Sequence, residues 1–139
     1  LIWHARTNLE NPDLVVLLHH MGGIASTAPC GDLDAIAGLA KYPNVHIKFS
    51  GFHYAVGLEN GWDYPHASAM WIAEGLYNAF GTRLCWGSDF PALSRAMTYK
   101  QALEIVRLHC RFIRPGDLDL ILGGTLKRLL NNAAPLRNP

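Results

Sequence analysis

The sequence lacks the marks of a nucleic-acid binder, a membrane protein or a disulfide-stapled module. Over 139 residues, twelve Lys and Arg are matched by eleven Asp and Glu, a net charge of +1. A phosphate backbone demands a clustered basic surface, so nucleic acid is excluded as the expected partner. No apolar run approaches the ~20 residues of a membrane-spanning helix, and Leu1 to Glu10 lacks the basic-then-apolar order of a secretory leader. Cysteine is sparse: Cys30, Cys85 and Cys110 are odd in number, widely spaced and form no Cys-x-x-Cys pair. Reduced thiols and a cytoplasmic location are the expectation. There is no low-complexity stretch and no sequence repeat. What remains is a half-apolar chain with 17% charged residues, the composition of a water-soluble α/β domain.

The apolar segments that are present are short and alternate with helical stripes. Leu14 to His19 is a continuous apolar run without alternation, as expected of a strand buried on both faces, and Met21-Gly22-Gly23 breaks it. Leu33, Ile36, Ala37 and Ala40 then fall at i, i+3, i+4 and i+7, which predicts a short helix starting near Asp32. Tyr42-Pro43-Asn44 ends it, because a residue before proline is pushed out of the helical region. Val45 to Ser50 reads as a second strand, stopped by Gly51. The loop Phe52 to Tyr64 leads to a stripe through Ile72, Leu76, Ala79 and Phe80, closed by Gly81. Leu84 to Ser88 is the third predicted strand. Beyond it the pattern is helical. Thr98 and Gln101 have capping-box spacing ahead of Ala102, Ile105, Val106 and His109. Arg114-Pro-Gly-Asp117 starts another helix, Gly123-Gly124 separates it from Thr125 to Leu130, and Asn131 to Pro139 reads as a frayed tail.

Strands alternating with helices at these spacings predict parallel pairing with right-handed crossovers. Parallel strands carry all their C-terminal ends to one edge, so His20, Ser50 and Asp89 are expected on one face although thirty or more residues separate each from the next. Such edges hold the reacting groups of α/β enzymes. Asp89 follows Leu84-Cys-Trp-Gly-Ser88 directly, and Pro91 prevents that strand from continuing. It either belongs to a site or caps a turn or the next helix. An imidazole and a carboxylate at one sheet mouth suit a divalent metal such as Zn²⁺ or Mn²⁺. By strand alternation only one of His19 and His20 faces that mouth, and the other is expected in the core or hydrogen-bonded to backbone.

Three segments carry a family resemblance. Leu17-Leu-His-His20-Met-Gly-Gly23, Tyr42-Pro-Asn-Val-His-Ile-Lys-Phe-Ser-Gly51 and Arg83-Leu-Cys-Trp-Gly-Ser-Asp-Phe-Pro91 resemble successive motifs of the amidohydrolase-related family of metal-dependent TIM-barrel hydrolases. Asp117 to Gly124 resembles the family's closing segment, although Thr125 stands where an Asn is usual. The likeness runs from Asn11 to Leu130 and implies an α/β fold: three parallel strands with helices, the C-terminal part of a (β/α)8 TIM barrel occupying residues 1–139. It implies that His20 is the strand-end histidine that binds metal, Zn or Mn, or substrate, and that Asp89 binds the metal and is the catalytic base on the attacking water. Lys48 and Ser50 match the Lys-x-Ser-Gly strand and are expected to line the interior near a small-molecule substrate. Lys48 reads equally as half of a buried ion pair. His53, Tyr54 and His66 lie in or beside the following loop, where they either contact substrate or stand solvated. Trp62 and Tyr64 either wall a pocket or pack that loop down. The family's first-strand His-x-His is not found, and His4-Ala-Arg6 is not that pattern. The expectation is half of a metal site, inactive on its own, in a hydrolase of small carboxylated, lactone or amide substrates. A decarboxylase on the same scaffold and a non-catalytic fragment are the alternatives. An open sheet edge also makes self-association into a homo-oligomer an expectation.

Overall fold

Val45, Ile47 and Phe49 lose all contact with solvent, and the architecture is arranged around that fact. They belong to β2 (Val45–Phe49), the central strand of a three-stranded sheet ordered β1-β2-β3. The computed structural model describes residue 11 and residues 14–132. Both pairings are parallel: β1 (Val16–Leu18) sets Val16 against Val45 and Leu18 against Ile47, and β3 (Leu84–Trp86) sets Leu84 against Ile47 and Cys85 against Lys48. Strand identities and directions follow the sequence pattern. The strands are shorter than their apolar runs. Leu14 and Val15 stay exposed, and β1 is half-buried because only β2 flanks it among the described residues.

The helices are α1 (Cys30–Ala37), α2 (Phe52–Ala55), α3 (Met70–Phe80), α4 (Tyr99–Glu104), α5 (Pro115–Asp119) and α6 (Thr125–Asn132). α1 starts two residues earlier than Asp32 and tightens into a 3₁₀ turn over Gly38–Lys41 before Tyr42. α3 presents Ile72, Ala73, Leu76 and Phe80 to the core shared with β2. Gly81 terminates it at φ 55°, a left-handed value that glycine takes without penalty. The Thr98–Gln101 capping box forms in both directions. α4 continues as a π-helix over Ile105–His109, and α5 over Leu120–Gly124 with a kink at Gly123.

The segment read as a loop from Phe52 to Tyr64 contains α2 and a 3₁₀ turn, Leu58–Asn60. One turn of helix is too short to leave a periodic signal. His19, expected in the core or tied to backbone, is exposed instead. The strand has ended at Leu18, and His20, Met21, Gly22 and Gly23 all take positive φ (46°, 53°, 76° and 75°), so strand alternation does not govern this pair. His4-Ala-Arg6 and the tail from residue 133 onward lie outside the described residues, while Asn131 and Asn132 close α6. Among the described residues no helix is long and apolar enough to cross a membrane.

One charged donor fixes the N-terminal end of the sheet. The Arg83 guanidinium donates to the carbonyls of Ala40 (2.7 Å), Tyr42 (2.7 Å) and Val45 (3.2 Å). It thereby joins the start of β3 to the 3₁₀ turn and the bend that feed β2.

Candidate active site

The C-terminal ends of the three strands meet around one carboxylate. Asp89, three residues past β3, accepts from the Lys48 ammonium at Oδ1 (2.9 Å) and from the Tyr54 hydroxyl at Oδ2 (2.9 Å). His20 approaches the same Oδ1 with Nε2 at 3.7 Å. Its other ring nitrogen, Nδ1, lies 3.0 Å from Ser50 Oγ. Four elements therefore deliver five side chains: the end of β1 gives His20, β2 and the residue after it give Lys48 and Ser50, α2 gives Tyr54, and the end of β3 gives Asp89. The carboxylate oxygens serve Lys48 and Tyr54, not a helix terminus, so helix capping by the Asp89 side chain is not its role here.

Local backbone explains the convergence. Asp89 sits at φ 62° and His20 at φ 46°, left-handed values that Asp and His tolerate better than most residues. Each turns its side chain off the strand path and back toward the sheet mouth. Two glycines make room. A Cβ on Gly51 (φ 76°) would stand 2.9 Å from both Cβ and Nδ1 of His20, so that imidazole occupies space only glycine leaves. A Cβ on Gly87 would stand 3.2 Å from Cε of Lys48, along the stem that reaches Asp89.

The electrostatics assign protonation states. Burial raises the Asp89 carboxyl, but the hydrogen bonds from Lys48 and Tyr54 and the nearby positive charge outweigh it and hold the group below the ordinary carboxylate range. Asp89 is an anion at neutral pH. Burial lowers the His20 imidazole, with Asp89 opposing and Lys48 and His19 reinforcing, so the ring is neutral there. The 3.7 Å approach of His20 to Asp89 is then a polar contact and not an ion pair. Tyr54 is pushed up, chiefly by burial and then by its bond to Asp89, and remains a donor; Arg95, on the 3₁₀ turn Ala92–Arg95 after β3, is close enough to oppose that shift.

Two histidines behave differently from solvated loop residues. His53 is 4% exposed with its ring 4.0 Å from that of Tyr54, and His66 is 1% exposed. Among the described residues, Nε2 of His53 and both ring nitrogens of His66 make no hydrogen bond of ordinary geometry, although the Asp63 backbone acts on the His66 ring. Burial holds both imidazoles below their ordinary value and keeps them neutral. The polarity of the loop gave no sign of this, nor of the reach of Arg95. His46, on the Lys48 side of β2, is also buried, with Nδ1 3.2 Å from the Asn44 carbonyl. Trp62 is 73% exposed, whereas the Tyr64 hydroxyl meets His109 Nε2 at 3.1 Å. Together with Met97, Thr98 and Gln101 these two aromatics line a groove of about 310 Å³, so they wall a depression and do not pack the loop shut.

A family model described as Amidohydrolase matches residues 5–131. The chain belongs to the amidohydrolase family. Two crystal structures of an amidohydrolase from Burkholderia multivorans are similar to it. The one with bound HEPES has a TM-score of 0.69 at 25% identity, and the one with bound zinc has 0.66 at 27%. Each alignment covers 81% of this chain and 42% of the neighbour's, so the chain spans less than half the length of these relatives. No curated protein matches it. The three parallel strands and their helices match part of the TIM barrel of these amidohydrolases, and family and fold together support a hydrolase-type function.

The donor chemistry can be tested against a family metal. His20 offers a neutral Nε2 with no protein hydrogen bond, because its other nitrogen is the one held by Ser50, and an anionic oxygen lies 3.7 Å away. Two ligands of one tetrahedral ion at ~2.0–2.2 Å stand roughly 3.4 Å apart, so the pair fits as two ligands of a larger set. Among the described residues no group of three or more His, Cys, Asp or Glu could hold a metal ion.

Proposed function

We propose that these residues form half of the active site of a metal-dependent amidohydrolase that hydrolyses a small lactone, ester or amide, the remaining ligands lying outside residues 1–139. The observation that carries this reading is the meeting of a neutral His20 Nε2 and an ionised Asp89 at the mouth of a parallel sheet. His20 and Asp89 would hold the ion, Zn or Mn; when bound, such an ion lowers the pKa of its water and polarises a carbonyl.

The chain's own residues account for the proton traffic. Asp89 takes a proton from the attacking water as its oxygen bonds to the substrate carbonyl carbon, and returns it to the departing oxygen or nitrogen as that bond breaks. Lys48 and Tyr54 hold the two carboxylate oxygens in place, so the base does not have to find its orientation during the reaction. Ser50 fixes the His20 ring, and with it the nitrogen presented to the site. Tyr54 stands half exposed at the rim with its one hydroxyl proton given to Asp89, so toward a substrate its oxygen offers an acceptor. His53 is the remaining substrate-side residue, packed behind Tyr54.

The test is lactone hydrolysis by the full-length protein with added Zn²⁺ or Mn²⁺. Asp89→Asn keeps the left-handed backbone, which Asn tolerates, and removes the base. Loss of a base of this kind costs about 10²–10⁴ in rate. An Asp89→Asn protein within three-fold of wild type sinks the assignment. Robust metal-dependent turnover by residues 1–139 alone would refute the half-site reading.

A further inference from the structure

Beside the carboxylate lies a cleft of about 210 Å³ lined by His20, Gly23, Ile24, Ala25, Tyr54 and Ala55. Its two polar side chains, His20 and Tyr54, both reach Asp89, and their rings meet edge to face at 5.1 Å. The rest of the lining is aliphatic or glycine, and among the described residues no charged side chain enters it. The cleft therefore has one chemically active wall and one apolar end. An apolar cavity of about 150 Å³ suffices for a benzene ring, so this cleft has room for a ring or a short alkyl chain.

The walls are fixed. The run of left-handed residues from His20 to Gly23 reverses the chain, and Met21, fully buried, anchors that reversal. Ile24 is buried, the Ser26 amide donates to the Ala55 carbonyl at 2.6 Å, and the Trp71 indole donates to the Ser26 carbonyl at 3.3 Å. The segment opposite α2 is thus tied both to α2 and to α3, and little ordering is left for an occupant to impose. A charged or hydroxyl-rich substituent would leave water there without a side-chain partner beyond the two at the active wall, a cost an apolar group avoids.

We infer that this cleft receives a hydrocarbon substituent on the acyl or lactone ring of the substrate, and that Ala25, exposed on its wall, sets how long that substituent can be. The inference takes its carbonyl position from the hydrolase reading above, but occupancy of the cleft can be measured without turnover. In the full-length protein, binding of 2-alkylcyclopentanones from methyl to hexyl is followed by calorimetry, alongside hydrolysis of γ-lactones with the same alkyl series. Wild-type affinity should rise about four-fold per methylene over the first few carbons. Ala25→Trp should flatten that slope, and Ala25→Leu should end it at a shorter chain, which keeps the test intact if the tryptophan variant does not fold. A flat wild-type series overturns the inference, and so does a slope that both variants leave unchanged. A steep binding series that both variants truncate, with no lactone hydrolysed, supports the cleft assignment and sinks the hydrolase reading instead.

Discussion

Gly51→Ala should damage this protein far more than a single methyl group suggests. Gly51 sits at φ 76°, and any residue with a Cβ pays roughly 1–2 kcal/mol there, offset in part by the ~0.4–1 kcal/mol that alanine removes from the freedom of the unfolded chain. The new Cβ would also stand 2.9 Å from His20 Cβ and Nδ1 and 3.0 Å from Cγ, where ordinary carbon contacts lie near ~3.5–4.0 Å. Rotating the imidazole does not relieve a clash with its own Cβ, which the backbone positions. Overpacking of this kind costs about 1–3 kcal/mol. The expected total is roughly 2–4 kcal/mol, together with loss of the His20–Ser50 contact. Gly87→Ala is the matched control: its Cβ meets only the flexible Lys48 stem at 3.2 Å and needs no left-handed backbone, so it should cost under ~1 kcal/mol. Urea unfolding of the two full-length variants, with the His20 ring followed by NMR, separates these outcomes. Equal midpoints, or a destabilised Gly51→Ala whose His20 signals are unmoved, would refute the reasoning.

Two further outcomes are expected. Lys48→Met removes the ammonium from Asp89 Oδ1 while keeping an apolar stem. Asp89 titrates below its unfolded value, so its share of stability is complete above the ordinary Asp range (~3.9) and is lost as pH falls through the folded value. Removing Lys48 raises that folded value toward the unfolded one, so the loss of stability that Asp89 causes on acidification below the ordinary Asp range should shrink; an acid limb as deep as that of the wild type would show that Lys48 does not hold the carboxylate. Arg83→Met leaves the carbonyls of Ala40, Tyr42 and Val45 without their charged donor, a loss on the order of 3 kcal/mol. Thermal unfolding within 1 °C of wild type would contradict it.

The sheet was legible in the sequence because its strands are short and sharply ended: the outer two are unbroken apolar runs, the central one alternates from Val45 to Phe49, each stops at glycine or a polar residue, and the crossovers are long enough for a helix. The shared edge followed from direction alone, which is why His20, Ser50 and Asp89 could be placed on one face before any contact was known. The contacts themselves were not legible. Alternation along β2 puts Lys48 and Ser50 on the same side, but their partners depend on the register of Lys48 against Cys85 and on how the chain bends after Trp86. Tyr54 reaches Asp89 only because a single helical turn follows Gly51, and the burial of His66 comes from packing that no local pattern records. The positions that escaped the local rules share a physical cause. Among the described residues, the non-glycine residues with positive φ are His20, Met21, His66 and Asp89. Local preference disfavours that backbone by roughly 1–3 kcal/mol at each, so the surrounding contacts must hold it. His20 is held by Ser50 and the space at Gly51, Asp89 by Lys48 and Tyr54, and Met21 by complete burial. A rule that reads residues from their neighbours in sequence has to fail at such places, because there the neighbours in space decide the conformation. That failure falls on the candidate site itself, where a side chain must leave the path its strand would give it in order to meet one from another strand.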